Sequence, residues 1–218
     1  KFTSSGAVLG FPGNTFLCHL VEGSQHHDAV SRYQDALATS PWAAYFTFLP
    51  KASFHMTIFC GVSGAPLGSD GWPEGFEPAT SLDDITTEYL RRLRDVQAPD
   101  TFNVRIVGAY PNNLLVTGEN VAEETALRHM RDRLRDLTGL DRPDQDTYQF
   151  HISVGYQTTW MPEAAALELV EYTAACFARH IAPLPALSLG AVEFCRFENM
   201  HRFDPICQVG PDGPFNLD

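Results

Sequence analysis

The sequence predicts an α+β protein made of two related halves, on three observations. Short apolar runs come in pairs beside amphipathic helices, without the strict alternation that marks a parallel sheet. The segment Phe54-His55-Met56-Thr57-Ile58 returns 96 positions later as Phe150-His151-Ile152-Ser153-Val154. The same shift lays the run 16–20 on residues 112–116, and the helix-capping residue Ser24 on a second one, Asn120.

The elements follow in order. Residues 1–15 read as an irregular arm with a type II turn at Pro12-Gly13. A strand at 16–21, a helix near 25–39, a strand at 44–49 and the first motif strand at 53–60 come next. Residues 61–81 hold five glycines and three prolines, too broken for regular structure and long enough to suggest a lid or a self-packed plug. Ser81 and Asp84 open a helix whose apolar face is Leu82, Ile85, Tyr89 and Leu93. Strands at 102–107 and 113–118 lead to the best-marked helix, capped by Asn120 and Glu123, striped by Leu127, Met130, Leu134 and Leu137, and ended by Gly139. After a polar loop at 139–147 and the second motif strand, Pro162 opens a helix expected to bury Leu167, Val170, Ala174, Phe177 and Ile181. Strands near 186–197 and 204–209 close the chain, with no linker that would divide 1–218 into separate domains.

The motifs carry the chemistry. On a strand, alternate side chains share a face, so His55 and Thr57 come forward while Phe54, Met56 and Ile58 pack behind them. His151 and Ser153 do the same in the second copy. One such match among eight histidines is ordinary. A pair is expected by chance in roughly one chain in two hundred. Two imidazoles can serve as acid and base near neutrality, and two hydroxyls can hold a phosphoryl group.

Composition narrows the partner. With 15 basic against 27 acidic residues, the net charge of −12 repels a long nucleic acid and leaves a small nucleotide or a short RNA end. Lys1 and Lys51 are the only lysines, so any phosphate clamp falls to arginine. Five cysteines in apolar runs, with no C-x-x-C pair, read as reduced thiols of a cytoplasmic protein. No stretch is long enough to span a bilayer. His26, His27 and His201 lack metal-site spacing, so no metal or other cofactor is expected.

Two His-apolar-Thr/Ser-apolar motifs, one in each half of a chain of 218 residues, resemble the 2H (two-histidine) phosphoesterase superfamily of cyclic phosphodiesterases and RNA 2′-5′ ligase-like proteins. The resemblance implies a two-lobed, pseudo-twofold fold, antiparallel sheets backed by helices around a central cleft, and metal-independent chemistry. Phe11-Pro12-Gly13-Asn14-Thr15 ahead of the first strand looks like an uncharacterised branch. Members acting on RNA ends often carry Arg or Lys after the second motif, where this chain has Gly155-Tyr156-Gln157.

The expected function is therefore hydrolysis of a small cyclic nucleotide, of the 2′,3′-cyclic phosphate or ADP-ribose cyclic phosphate type. His55 and His151 are the expected acid–base pair, in an order the near symmetry hides, and Thr57 and Ser153 the phosphate-binding hydroxyls. RNA 2′-5′ ligation or end processing, a nucleotide-binding module without turnover, and a zinc hydrolase are successively weaker alternatives. His19, Tyr45 and Trp72 are candidate substrate contacts, and one of Arg105, Arg196 and Arg202 a candidate for a second phosphate. Strand alternation sends Tyr156 to the core.

Overall fold

A strand with one apolar face must cover that face, and the motif strands decide how. Phe54, Met56, Ile58, Phe150, Ile152 and Val154 are fully buried in the main core, as the alternation requires. The computed structural model describes residues 1–215. Its elements are β1 (Gly13–His19), α1 (Gln25–Ala38), β2 (Phe46–Phe48), β3 (His55–Ser63), α2 (Leu82–Leu93), β4 (Phe102–Tyr110), β5 (Asn113–Gly118) and α3 (Val121–Thr138). There follow β6 (His151–Ser153), β7 (Gly155–Gln157), α4 (Glu163–His180), β8 (Leu187–Leu189), β9 (Val192–Asn199), β10 (Arg202–Gly210) and β11 (Gly213–Phe215).

Nine strands form one sheet in the order β11-β10-β9-β1-β3-β6-β5-β4-β8, every pairing antiparallel. The α+β class is as expected, but the sheets of the two halves are continuous, joined where β3 meets β6 at Met56 opposite Ile152. A small second sheet pairs β2 with β7. Side chains of α1, α2 and α3 share the main core with the buried motif residues, so the helices cover one face and leave the histidine face open.

The duplication is written into the register. In the first half Leu17 pairs with Thr57 and His19 with His55; in the second, Asn113 pairs with Ser153 and Leu115 with His151. Each second pair is the first moved by the 96-residue offset of the motifs, and α1 and α3 begin one residue after the corresponding caps, Ser24 and Asn120. Both caps accept hydrogen bonds from first-turn amides, as their side chains allow.

The helices also clamp the motif strands crosswise. Gln34 of α1 donates through Nε2 to the carbonyls of Leu49 (2.7 Å) and Val154 (2.8 Å). Arg131 of α3 donates to the carbonyl of Ile58 at 2.7 Å. Ile58 and Val154 are equivalent positions, each just after its motif hydroxyl, so each half's helix satisfies a buried carbonyl of the other half.

Three expectations are corrected. Gly13 is not the left-handed residue of a type II turn; it opens β1 with an ordinary φ. Glycine is needed there for a close approach, because a Cβ would lie 2.5 Å from that of Ser63 and 2.7 Å from the Phe197 ring. On α4, Leu167 (63% exposed) and Val170 (54%) face outward while Leu169 and Thr173 are buried. That helix is apolar on several sides, so periodicity did not fix its phase; contact with α1, including Tyr172 Oη donating to the Ala36 carbonyl at 2.9 Å, does. Finally, the chain leaves β6 at Val154 and re-enters pairing in another sheet as β7, a crossing that alternation along one strand does not anticipate.

Replacing Gln34 by the similarly sized Met strands the Leu49 carbonyl and leaves that of Val154 with the Leu49 amide alone. It is expected to destabilise the fold by about 1–3 kcal/mol, read as a lower urea midpoint with unchanged slope.

Candidate active site

His55, Thr57, His151 and Ser153 line one pocket of about 230 Å³ on the open face of the sheet. The β3–β6 pairing brings them there. With Met56 opposite Ile152, the adjacent antiparallel positions set His55 across from Ser153 and Thr57 across from His151. Each imidazole thus faces the hydroxyl of the other half.

The two rings are held alike. Nδ1 of His55 lies 2.6 Å from the carbonyl of Ser53, and Nδ1 of His151 lies 2.8 Å from the carbonyl of Gln149, two residues back in each case. A carbonyl only accepts, so Nδ1 carries the proton and Nε2 is left for a substrate.

Their surroundings differ. His55 is packed between Phe203, with ring centroids 4.3 Å apart, and His19, at 5.9 Å. Burial pushes its pKa down to about 4, helped by the nearby imidazoles of His19 and His151 and opposed by the bond to Ser53. His151 instead has Tyr148 beside it, centroids 5.9 Å apart. The hydroxyls differ too. Ser153 Oγ donates to Asn113 Oδ1 at 2.7 Å, whereas Thr57 Oγ1 makes no hydrogen bond among the described residues.

The pocket walls include residues that the sequence reading missed. Tyr156, expected in the core, lines the pocket because the crossing at Val154 turns it there. Cys60 arrives through a bulge in β3, where Phe16 pairs with Phe59 but the next residue, Leu17, pairs with Thr57. Phe203 and Met200 come from the β9–β10 hairpin, Phe11 and Lys1 from the N-terminal arm, and Asp70 from the loop after β3. Gly155 offered a local hint of the break before Tyr156; the hairpin residues carried no signal, since only tertiary pairing brings them in.

The candidate substrate contacts do not reach the pocket. Trp72 is turned into its own loop, where Nε1 donates to the Phe76 carbonyl at 3.0 Å, and Phe76 packs edge-on against Tyr89. The aromatics of that loop act as a plug, and Asp70 is its contribution to the pocket wall. Tyr45 packs on the cluster of Leu37, Phe46 and Leu169, its carbonyl accepting from Thr158. His19 stands behind His55, with Nδ1 bonded to Glu193 Oε2. The candidate arginines are also elsewhere: Arg105 pairs with Glu119, Arg196 with Asp83 and Glu198, and Arg202 with Asp204, and none lines the pocket.

His19, Glu193 and Cys195 place ligand-type atoms within 4.8 Å of one another. Both Glu193 oxygens already accept, from His19 and from Gln208 Nε2, and burial holds the Cys195 thiol protonated, so this donor set fits a metal poorly.

Two His-x-Ser/Thr strands meeting over one pocket in an antiparallel α+β fold define a two-histidine phosphoesterase. The chain belongs to the family described as 2H-phosphodiest, a domain of unknown function (DUF1868), whose model matches residues 1–115 and so includes the first motif. A conserved protein of unknown function from Agrobacterium tumefaciens strain C58, ATU0111, is 30% identical over 94% of this chain and 88% of its own, with a TM-score of 0.83. TT0787 of Thermus thermophilus (14% identity, 94% and 93% coverage, TM-score 0.38) and a protein described as a phosphoesterase (9%, 89% and 94%, 0.46) are too distant to carry an argument. No curated protein matches the chain. Among the described residues no helix is long and apolar enough to cross a membrane.

By ring-resonance NMR, His55 is expected to remain neutral down to about pH 4 as the Nδ1–H tautomer. Because burial is the main cause of the depression, Phe203→Ala is expected to move the midpoint upward, toward the ordinary value near 6.5.

Proposed function

We propose that the protein is a metal-independent phosphodiesterase that opens a small cyclic phosphate, of the nucleoside 2′,3′-cyclic type, with His55 as base and His151 as acid. The observation that carries this reading is the matched pair of imidazoles, each with Nδ1 committed to a backbone carbonyl and Nε2 free for the same pocket. Water on one side of phosphorus gives its proton to Nε2 of His55 as its oxygen bonds to phosphorus. The bond to the leaving ribose oxygen breaks on the other side, and that oxygen takes a proton from His151. The products are a phosphomonoester and a free vicinal hydroxyl, with one proton accepted and one donated.

The assignment of roles follows from the environments. A ring whose pKa lies near 4 is neutral at pH 7 and offers a lone pair; it cannot be the resting proton donor. Thr57 is the hydroxyl free to donate to a non-bridging oxygen, and Ser153 joins it by turning its proton away from Asn113.

The pocket favours the smaller of the candidate substrates. At about 230 Å³ it falls below the roughly 300–1,000 Å³ usual for drug-sized ligands, which suits a mononucleoside better than an ADP-ribose derivative. Phe11, Phe203 and Tyr156 give a base aromatic neighbours, and Asp70 disfavours an additional phosphate. Lys1 is the only lysine or arginine on the lining, so no basic track continues toward an RNA strand.

Turnover of 2′,3′-cyclic nucleotides in EDTA is the test. His55→Ala and His151→Ala are each expected to lower kcat by at least about a hundredfold, and loss of wild-type activity in EDTA would overturn the metal-free mechanism. The profile of kcat/KM against pH is expected to fall on the acid side only as His55 protonates, toward pH 4, and His55→Ala to abolish that limb. An acid limb unchanged in His55→Ala would reverse the assignment of base and acid.

A further inference from the structure

The two crosswise clamps do the same structural task with different chemistry. Gln34 and Arg131 are both buried, at 4% and 2% exposure, and each donates to the carbonyl following a motif hydroxyl. They stand one position out of step under the 96-residue shift. Gln34 completes its task with a neutral carboxamide, both amide hydrogens engaged. Arg131 brings a full positive charge to a task that needs none.

That charge is poorly compensated by the protein. Arg131 makes no ion pair among the described residues; its other bond is to the neutral Gln145 Oε1 at 3.4 Å, and its Nε is buried without a partner. Asp144 acts on it only from a distance, and burial pulls its pKa down. Leaving a guanidinium in this state is costly, offset in part by the Phe59 ring, whose centroid lies 5.4 Å from the guanidinium carbon. The cost falls next to the pocket: the guanidinium carbon sits 3.8 Å from the centroid of the Tyr148 ring, and Tyr148 is a pocket wall beside His151. The Tyr148 hydroxyl makes no hydrogen bond among the described residues, and burial raises its pKa, so it stays protonated and able to donate.

We infer that Arg131 is a buried cationic element of the phosphate site, a positioning residue that holds Tyr148 by stacking and supplies positive potential from beneath it, while the Tyr148 hydroxyl donates to a non-bridging phosphoryl oxygen. This rests on the phosphodiesterase reading above for the substrate, though not for the binding of phosphate itself. It also adds positive potential to a pocket whose lining carries one lysine, Lys1, in a protein of net charge −12.

Arg131→Gln is the decisive variant, because it installs the solution the other half already uses. It is expected to melt close to the wild type, to bind inorganic phosphate roughly tenfold or more weakly by calorimetry, and to lose kcat/KM on a 2′,3′-cyclic nucleotide in proportion. Arg131→Lys should recover part of the phosphate affinity, which a purely structural role would not do. Tyr148→Phe keeps the ring and removes only the hydroxyl; kcat is expected to fall on the order of a hundredfold. A folded Arg131→Gln with unchanged phosphate affinity overturns the role of the charge. Should that variant not fold, unchanged phosphate affinity in Tyr148→Phe overturns the inference instead. If the wild type binds phosphate through these residues but turns over no cyclic nucleotide, the substrate reading fails and this one stands.

Discussion

The pairing of two short strand segments, Met56 against Ile152, is the constraint on which the molecule turns. It makes one sheet of two halves, and it decides which side chains can meet. Antiparallel pairing about that point places the histidine of each motif opposite the hydroxyl of the other. Because side-chain direction alternates along a strand, a slip of one residue by either one would send its histidine and its hydroxyl into the helix-covered core. The fully buried Phe54, Met56, Ile58, Phe150, Ile152 and Val154 oppose such a slip, since each would have to surrender its place in that core. Register and the candidate site are therefore specified by the same apolar residues.

The crosswise clamps extend this dependence to the helices. Backbone carbonyls after the motifs lie where the strands bulge or end, and their lone pairs cannot all be met by sheet neighbours. Gln34 and Arg131 meet them from the opposite half, so the halves are joined by side chains as well as by strand pairing. A further consequence concerns Val154. Its carbonyl accepts from both Gln34 and the Leu49 amide, so the chain changes sheets there and brings Tyr156 to the pocket with that acceptor fully used.

Much of the fold and the heart of the candidate site were legible in the sequence because they depend on local periodicity and capping. The motif alternation placed four pocket residues on one face, and Ser24, Ser81, Asn120 and Gly139 marked helix ends where they occur. What could not be read depends on relations between distant segments. The bulge that exposes Cys60 and the hairpin that brings Phe203 against His55 are properties of pairing, with no signature in a single strand. Trp72 shows the complementary error: an aromatic in a glycine-rich loop suggests a ligand contact, yet its own loop supplies the acceptor for its indole N–H. On α4 the expected face held only at its C-terminal end, where Phe177 and Ile181 reach the core, because an excess of apolar residues around the helix blurs its phase earlier on.

Duplication would by itself give two equivalent histidines, and two equivalent groups serve poorly as a simultaneous acid and base, because each reacts best in the opposite protonation state. The surroundings supply the missing difference. On the first side, Phe203 and His19 enclose the His55 ring and make its cationic form costly. Neither neighbour has a counterpart at the second histidine: the position equivalent to His19 is Leu115, and the hairpin carrying Phe203 lies beyond β1 and β9 on the first half's flank of the sheet. The second side instead receives Tyr148, stacked on the guanidinium of Arg131. Geometry is thus inherited from the repeat, whereas the division of labour proposed here comes from residues outside it. A change restricted to those flanking residues would redistribute the two proton-transfer roles while leaving the paired strands untouched.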